Sequence, residues 1–339
     1  MMKPFLIALM FVSLFNADGL PQQKSSRKLV WPLPPEKPRI EFLYAFSSKA
    51  DIGIEKPWWK KAIDFILGAE DNVGSLVRPQ SVAVDSDGRI YVTDIGNHGV
   101  HIFDFERKEY KFIKGGNGHL LKSPIGLAVA PDETFYVTDS EMGEVMVFGK
   151  KGNYLFSIKD GLTRPTGISI YGGLLYVTDT GANQIIVFDL QGHEKFRIGG
   201  RGTADREFNF PVYLCAGNDT REAVADRFYV VDAMNFRIQV LRADGTFVYK
   251  FGRLGNGFGD FARPKGIALD NDGHIYVVDA LFDVVQIFDQ EGKLLMAFGG
   301  SGNKFGNFLL PSGIFIDSKD RIYVLDSGNK RVQVFQYLK

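Results

Sequence analysis

The stretch PKGIALDNDGHIYVVDALFDVVQIFDQEGKLLMAFGG, Pro264 to Gly300, contains four short apolar runs: Gly266 to Leu269, Ile275 to Val278, Val284 to Phe288 and Lys293 to Phe298. Turn signals such as Asp272-Gly273 and Glu291-Gly292 separate them, so the stretch reads as four strands joined by three hairpins. Runs such as IYVV do not alternate with polar residues, which fits strands covered on both faces. The unit recurs. Six times a proline is followed by Tyr-Val-x-Asp and then, nine residues after the Asp, by phenylalanine or leucine. The Asp positions are Asp94, Asp139, Asp179, Asp232, Asp279 and Asp326. A strand-rich unit repeating every ~40 to 50 residues marks a propeller or a solenoid, and four strands per unit make one propeller blade. The reading is therefore all-β: a six-bladed β-propeller of four-stranded antiparallel blades.

The two ends of the chain fit a closed ring. The last unit stops at Lys339, just past its third strand (Val332 to Phe335), while PRIEFLYAF (Pro38 to Phe46) resembles a fourth strand without a blade. Pairing it onto the last third strand closes the ring and hides two sheet edges. The single propeller domain thus spans 38–339.

Ahead of it, MMKPFLIALMFVSLFNADG has one basic residue, an apolar run and small residues before a cut after residue 19. This reads as a secretory signal peptide over 1–19, followed by an extended segment over 20–37. Export places the mature protein in the periplasm or outside the cell, with no stable membrane insertion once the signal is removed. The single cysteine, Cys215, cannot form an internal disulfide. Around 57–68, Trp59, Ile63, Ile66 and Leu67 fall at helical spacing, so a short amphipathic helix packed on the ring is expected. The fourth repeat is six residues longer than most between its proline and its Asp. Its insert, AGNDTREAVADR, should extend the first hairpin on the face opposite the long loops.

Segments such as PSGIFIDSKDRIYVLDSGNKRVQVF and PVYLCAGNDTREAVADRFYVVDAMNFRIQVL resemble the NHL repeat, with its Pro-x-Gly-Ile start, Tyr-Val-x-Asp centre and Asn-x-Arg-Ile-Gln-Val-Phe end. The resemblance implies a six-bladed propeller of the exported bacterial type and carries no single activity. Asn-x-Arg survives only at Asn235/Arg237 and Asn329/Arg331, and the second repeat has Met142-Gly143-Glu144 in its place. Relatives of the family that are ubiquitin ligases use a separate zinc domain rich in cysteine, which one cysteine cannot build.

The candidate chemistry is sparse. The six Asp residues end their second strands, where a carboxylate accepts hydrogen bonds from the following turn. The turns DSDG and DNDG lack the further acidic ligands of a calcium loop. Glycine-rich stretches such as GRLGNGFGDFARP lead into strands rather than into a helix N-terminus, so they are not phosphate loops. Phe208, Phe261 and Phe308, each three residues before a proline, read as loop anchors. Propeller lyases and lactonases of this shape hold an axial metal with inward His or acidic side chains, and the five histidines occupy no common repeat position. Neither a metal nor another cofactor is expected. Zero net charge removes the long-range attraction that nucleic-acid binding uses.

What remains is the face formed by the loops between fourth and first strands and between second and third. Arg78, Arg164 and Arg263 directly precede their prolines and should stand near the channel mouth. The loops after the Asp residues contribute Met234, Phe236 and Arg237, then Leu281 and Phe282, then Arg331. Apolar side chains mixed with arginine on a rigid surface are what protein and peptide recognition uses. The expectation is a monomeric, non-catalytic scaffold that binds a protein, a peptide or an envelope component. The alternative is a metal-dependent hydrolase or lyase, lactonase-like or amidating-lyase-like, with its site at the axial channel.

Overall fold

The structure, a computed structural model, describes residues 28–54, 74–217 and 226–339. The signal segment 1–19, the expected helix at 57–68 and most of the fourth-repeat insert lie outside the described residues. Among the described residues there is no α-helix, only two short 3-10 turns at Lys49–Ile52 and Ala233–Asn235.

Five antiparallel sheets of four strands follow one another along the chain, and each is one blade. Blade 1 runs Pro79–Val84, Ile90–Asp94, Gly99–Asp104, Glu109–Ile113, and blade 5 runs Pro264–Leu269, Ile275–Asp279, Val284–Phe288, Leu294–Gly299. Blades 2, 3 and 4 begin with Pro124–Val129, Pro165–Tyr171 and Pro211–Ala216. The sixth sheet draws on both ends of the chain. Ile314–Ile316, Arg321–Asp326 and Arg331–Tyr337 are followed in space by Ile40–Phe46, with Phe42 opposite Phe335 and Phe46 opposite Val332. Val30–Trp31 adds a short fifth strand at its outer edge, and the Trp31 ring lies 5.8 Å from that of Phe335.

Each blade has both faces covered by its neighbours, and so the core divides into six apolar clusters, one between each adjacent pair. Tyr276, Val278, Phe298, Val324 and Phe335 join blades 5 and 6. Tyr44, Phe46, Val82, Val92 and Leu325 join blade 6 to blade 1 and complete the circle. The tyrosine of Tyr-Val-x-Asp belongs to these clusters and keeps its hydroxyl satisfied at its outer end. Tyr91 and Tyr276 donate to Asp85 and Asp270 at 3.0 Å, and Tyr136 donates to the Leu190 carbonyl of the next blade. Burial pushes the Tyr136 phenol up to about 12.

The first strands pack on one another around the axis, and the Pro-x-Gly start is what lets them. A Cβ on Gly167 would sit 2.6 Å from Tyr213 Cα, and one on Gly313 would sit 2.5 Å from the Gln80 carbonyl. Only a residue without a side chain allows backbones to approach so closely. In blades 1 to 3 the third residue of Tyr-Val-Thr-Asp adds a tie across the seam. Thr93 donates to the Ile125 carbonyl at 2.8 Å and Thr138 to the Thr166 carbonyl at 2.6 Å, each reaching the next blade.

Removing residues 38–46 would leave blade 6 with an open edge along Arg331–Tyr337 and take Ile40, Tyr44 and Phe46 out of two core clusters. The expected outcome is loss of the monomeric fold, read as aggregation in size-exclusion chromatography and a lowered melting temperature. A truncated chain that stays monomeric with unchanged melting would contradict this.

Candidate binding face at the loop end of the propeller

The six repeat Asp side chains are fully buried, and each binds the loops of this face together. In blades 1, 2, 3 and 5 the carboxylate accepts two amides from the loop before the first strand and two from the turn after the second. Asp279, for example, takes the amides of Ala262 (2.7 Å), Arg263 (3.0 Å), Leu281 (3.0 Å) and Phe282 (3.3 Å). Around Asp94 burial alone would raise the carboxyl, but the His101 ring and the amides of Val77 and Arg78 outweigh it and hold it below its ordinary value. The Asp residues are therefore part of the frame.

Blades 4 and 6 use a different solution, and it explains where Asn-x-Arg persists. There the Asp accepts a single amide from the loop, Asn209 at 2.6 Å or Leu309 at 2.8 Å, and side chains supply the rest. Arg237 pairs with Asp232 at 2.8 Å and donates onward to the carbonyls of Thr203, Ala204 and Glu207. Arg331 pairs with Asp326 at 2.7 Å and donates to those of Asn303, Lys304 and Asn307. Both guanidiniums are clasps that hold the long loops 200–210 and 300–310 down on the ring. Phe208, Phe261 and Phe308 are buried beneath the same class of loop. In blade 2 Glu144 occupies the clasp position, buried opposite Asp139 with the Lys159 ammonium 3.1 Å away.

The residues expected at a recognition surface consequently separate into two groups. Arg237 and Arg331 act as structural clasps, their donors taken by the aspartates and loop carbonyls. Phe236 is half-buried against the core between blades 4 and 5, and Phe282 is half-buried as well. Arg78, Arg164, Arg263, Met234 and Leu281 remain exposed, the last two at 54% and 61%. Only the main chain of the three arginines is held by Asp94, Asp179 and Asp279. Their side chains make no ion pair with a described residue, and Arg164 lies over the Phe210 ring at 5.7 Å.

Taken in blade order, the residue before the first strand is Arg78, Ser123, Arg164, Phe210, Arg263 and Leu310. A guanidinium thus alternates with an uncharged residue around the axis. Phe210 and Leu310 are themselves exposed and take left-handed backbone conformations. Of the exposed large apolar side chains among the described residues, all but Leu33, Leu155 and Leu295 lie on loops of this face. Phe258, 94% exposed, stands at the tip of one. The opposite face carries ion pairs at its hairpin turns. Arg89 binds Asp85 and Glu133, Arg321 binds Asp317 at 2.7 Å, and His274 binds Asp270 at 2.8 Å. There a cavity of about 490 Å³ opens between Val84, Val129, Ile170, Tyr171 and Leu190.

One contact across the axis was missed by sequence reasoning. Tyr213 of blade 4 donates through its hydroxyl to the Gln80 carbonyl of blade 1 at 2.6 Å. In a ring of six these blades stand opposite one another, so the phenol bridges the channel. Its only sequence signal is a tyrosine where the other repeats have serine (Ser81) or glycine (Gly126, Gly167, Gly266, Gly313). Among the described residues no three His, Cys, Asp or Glu side chains come together as a metal site would need.

Blades of four strands closed around such an axis define a six-bladed β-propeller. The chain carries NHL repeats: the model of that repeat matches residues 76–103 and 308–335, and a 6-bladed beta-propeller family matches residues 218–284. Protein brain tumor of Drosophila melanogaster is 29% identical over 122 residues, which are 35% of this chain and 11% of that protein. The chain thus matches only about a tenth of that relative's length. An auxiliary nutrient binding protein from Bacteroides thetaiotaomicron superposes with a TM-score of 0.61 at 14% identity, over 79% of this chain and 71% of the other. Virginiamycin B lyase from Staphylococcus aureus gives 0.55 at 14% identity, over 77% and 96%. At such identities the likeness is one of fold.

The two groups of arginine should respond differently to mutation. Arg237→Ala breaks the buried ion pair to Asp232 and takes one donor from each of three loop carbonyls, and is expected to cost about 3 kcal/mol in denaturant unfolding. Arg263→Ala should change stability by under ~0.5 kcal/mol. Equal effects would overturn the assignment of Arg237 as a clasp.

Proposed function

We propose that the protein is a non-catalytic scaffold that recognises a protein or peptide through its loop face. The observation that carries this reading is the unequal division of the surface. Exposed apolar side chains collect on one face of a rigid disc, beside Arg78, Arg164 and Arg263, whose side chains pair with no described residue. Desolvating Met234, Leu281 and Phe210 against a partner would return the free energy that their exposure withholds, and Arg164 and Arg263 supply donors for its polar groups. The relatives by fold include a nutrient-binding protein and a lyase, so the fold accommodates either role. At the axial mouth of this chain, however, the side chains are cationic, which opposes a metal ion where a lyase or hydrolase of the alternative kind would hold one. We further propose export to the periplasm or beyond, on the strength of the apolar segment before residue 19, and action as a monomer.

Replacing Met234, Leu281 and Arg263 with serine, serine and alanine should leave the melting temperature within the range of ordinary surface substitutions. Partners retained by the immobilised wild-type protein from an envelope extract should be lost from this variant. Retention of the same partners by the folded variant would move recognition to another surface.

A further inference from the structure

We propose that the loop end of the axis is a binding site for a compact anion, a carboxylate or a tetrahedral oxyanion, seated on Lys265 and flanked by Arg263 and Arg78. Lys265 is the second residue of the first strand of blade 5, the level at which Tyr213 and Gln80 close the channel beneath the mouth. It is half-buried, and its ammonium has neither a hydrogen bond nor an ion pair with a described residue. Blades 5 and 1 are not neighbours, so the guanidinium of Arg78 acts on Lys265 from beyond blade 6, while that of Arg263 acts from the same blade.

Nothing nearby offsets this charge. Asp279, the carboxylate of its own blade, is taken by four backbone amides. Asp326 of blade 6 is taken by the Leu309 amide, Asn329, Arg331 and Gln333. Tyr213 donates its only proton to Gln80. Burial first, then Arg263 and Arg78, bring the Lys265 ammonium down to about 8, so it still carries its proton at neutral pH. A half-buried cation beside two further cations is unfavourable by itself and favourable once an anion enters. Tyr213 spans the axis at this level, so the three cations stand on the loop side of that bridge. This inference does not rest on the protein or peptide reading, because small anions alone probe it.

The linkage has a definite sign. The unfolded chain keeps the Lys265 proton up to an ordinary value of 10.5, and the folded chain only to about 8. Stability therefore rises with pH between those values. A bound anion raises the folded value and flattens that rise.

The test is calorimetric titration of the full chain with sulfate and with N-acetylglycine, against a chloride background, at about pH 7 and about pH 9.5. The expected result is saturable binding of at least one probe to the wild type. It should weaken at least about tenfold in Lys265→Met and at the higher pH as the ammonium loses its proton. Sulfate alone would identify a tetrahedral oxyanion, and N-acetylglycine alone a carboxylate. If Lys265→Met does not fold, the double variant Arg78→Gln, Arg263→Gln, whose side chains are exposed, carries the same expectation. No saturable binding of either anion, or equal binding by wild type and variant, overturns the proposal.

Discussion

A buried carboxylate at the end of each second strand is the constraint on which the loop face depends. The loop entering the blade and the turn leaving its second strand both present amides that find no partner in the sheets. An aspartate placed between them accepts from both, and a charge-assisted bond to a backbone amide is stronger than a neutral one. Because an Asp side chain is short, the two segments are drawn to a fixed separation in blades 1, 2, 3 and 5. The same bond sets the main chain of Arg78, Arg164 and Arg263 at the start of their first strands. The interior contact thus positions an exterior row.

From this follows the division of labour among arginines that look alike in sequence. Where the loop supplies two amides, the carboxylate is satisfied by backbone and the preceding arginine is left for solvent. Where it supplies one, Arg237 or Arg331 fills the gap and extends to the loop carbonyls. In those blades the amide of the residue before the proline turns to the preceding blade instead. Phe210 donates to Asn183 and Leu310 to Asp283. Ties of this kind, with Thr93 and Thr138 on the inner strands, couple the blades by polar contacts in addition to the apolar clusters.

The repeat made most of the architecture legible. Four apolar runs per unit, a proline at the first strand and a buried tyrosine three residues before the Asp all describe local requirements, and local requirements are written in order along a chain. The loop anchors Phe208, Phe261 and Phe308 were readable for the same reason. The site was less so. Arg237 and Arg263 each lie five residues or fewer from a defining repeat position, and nothing in their spacing says that one faces an aspartate and the other water.

By itself, then, the sequence determined the number of blades, the strands within each and the aspartate frame, because hydrophobic period and turn chemistry act over neighbouring residues. Only the tertiary structure decided which arginines are clasps, that Tyr213 reaches Gln80 across the axis, and that Lys265 shares its surroundings with Arg78. The last two relate blades far apart in the chain. They depend on how closing the ring brings the first strands together, and no short-range pattern encodes that distance.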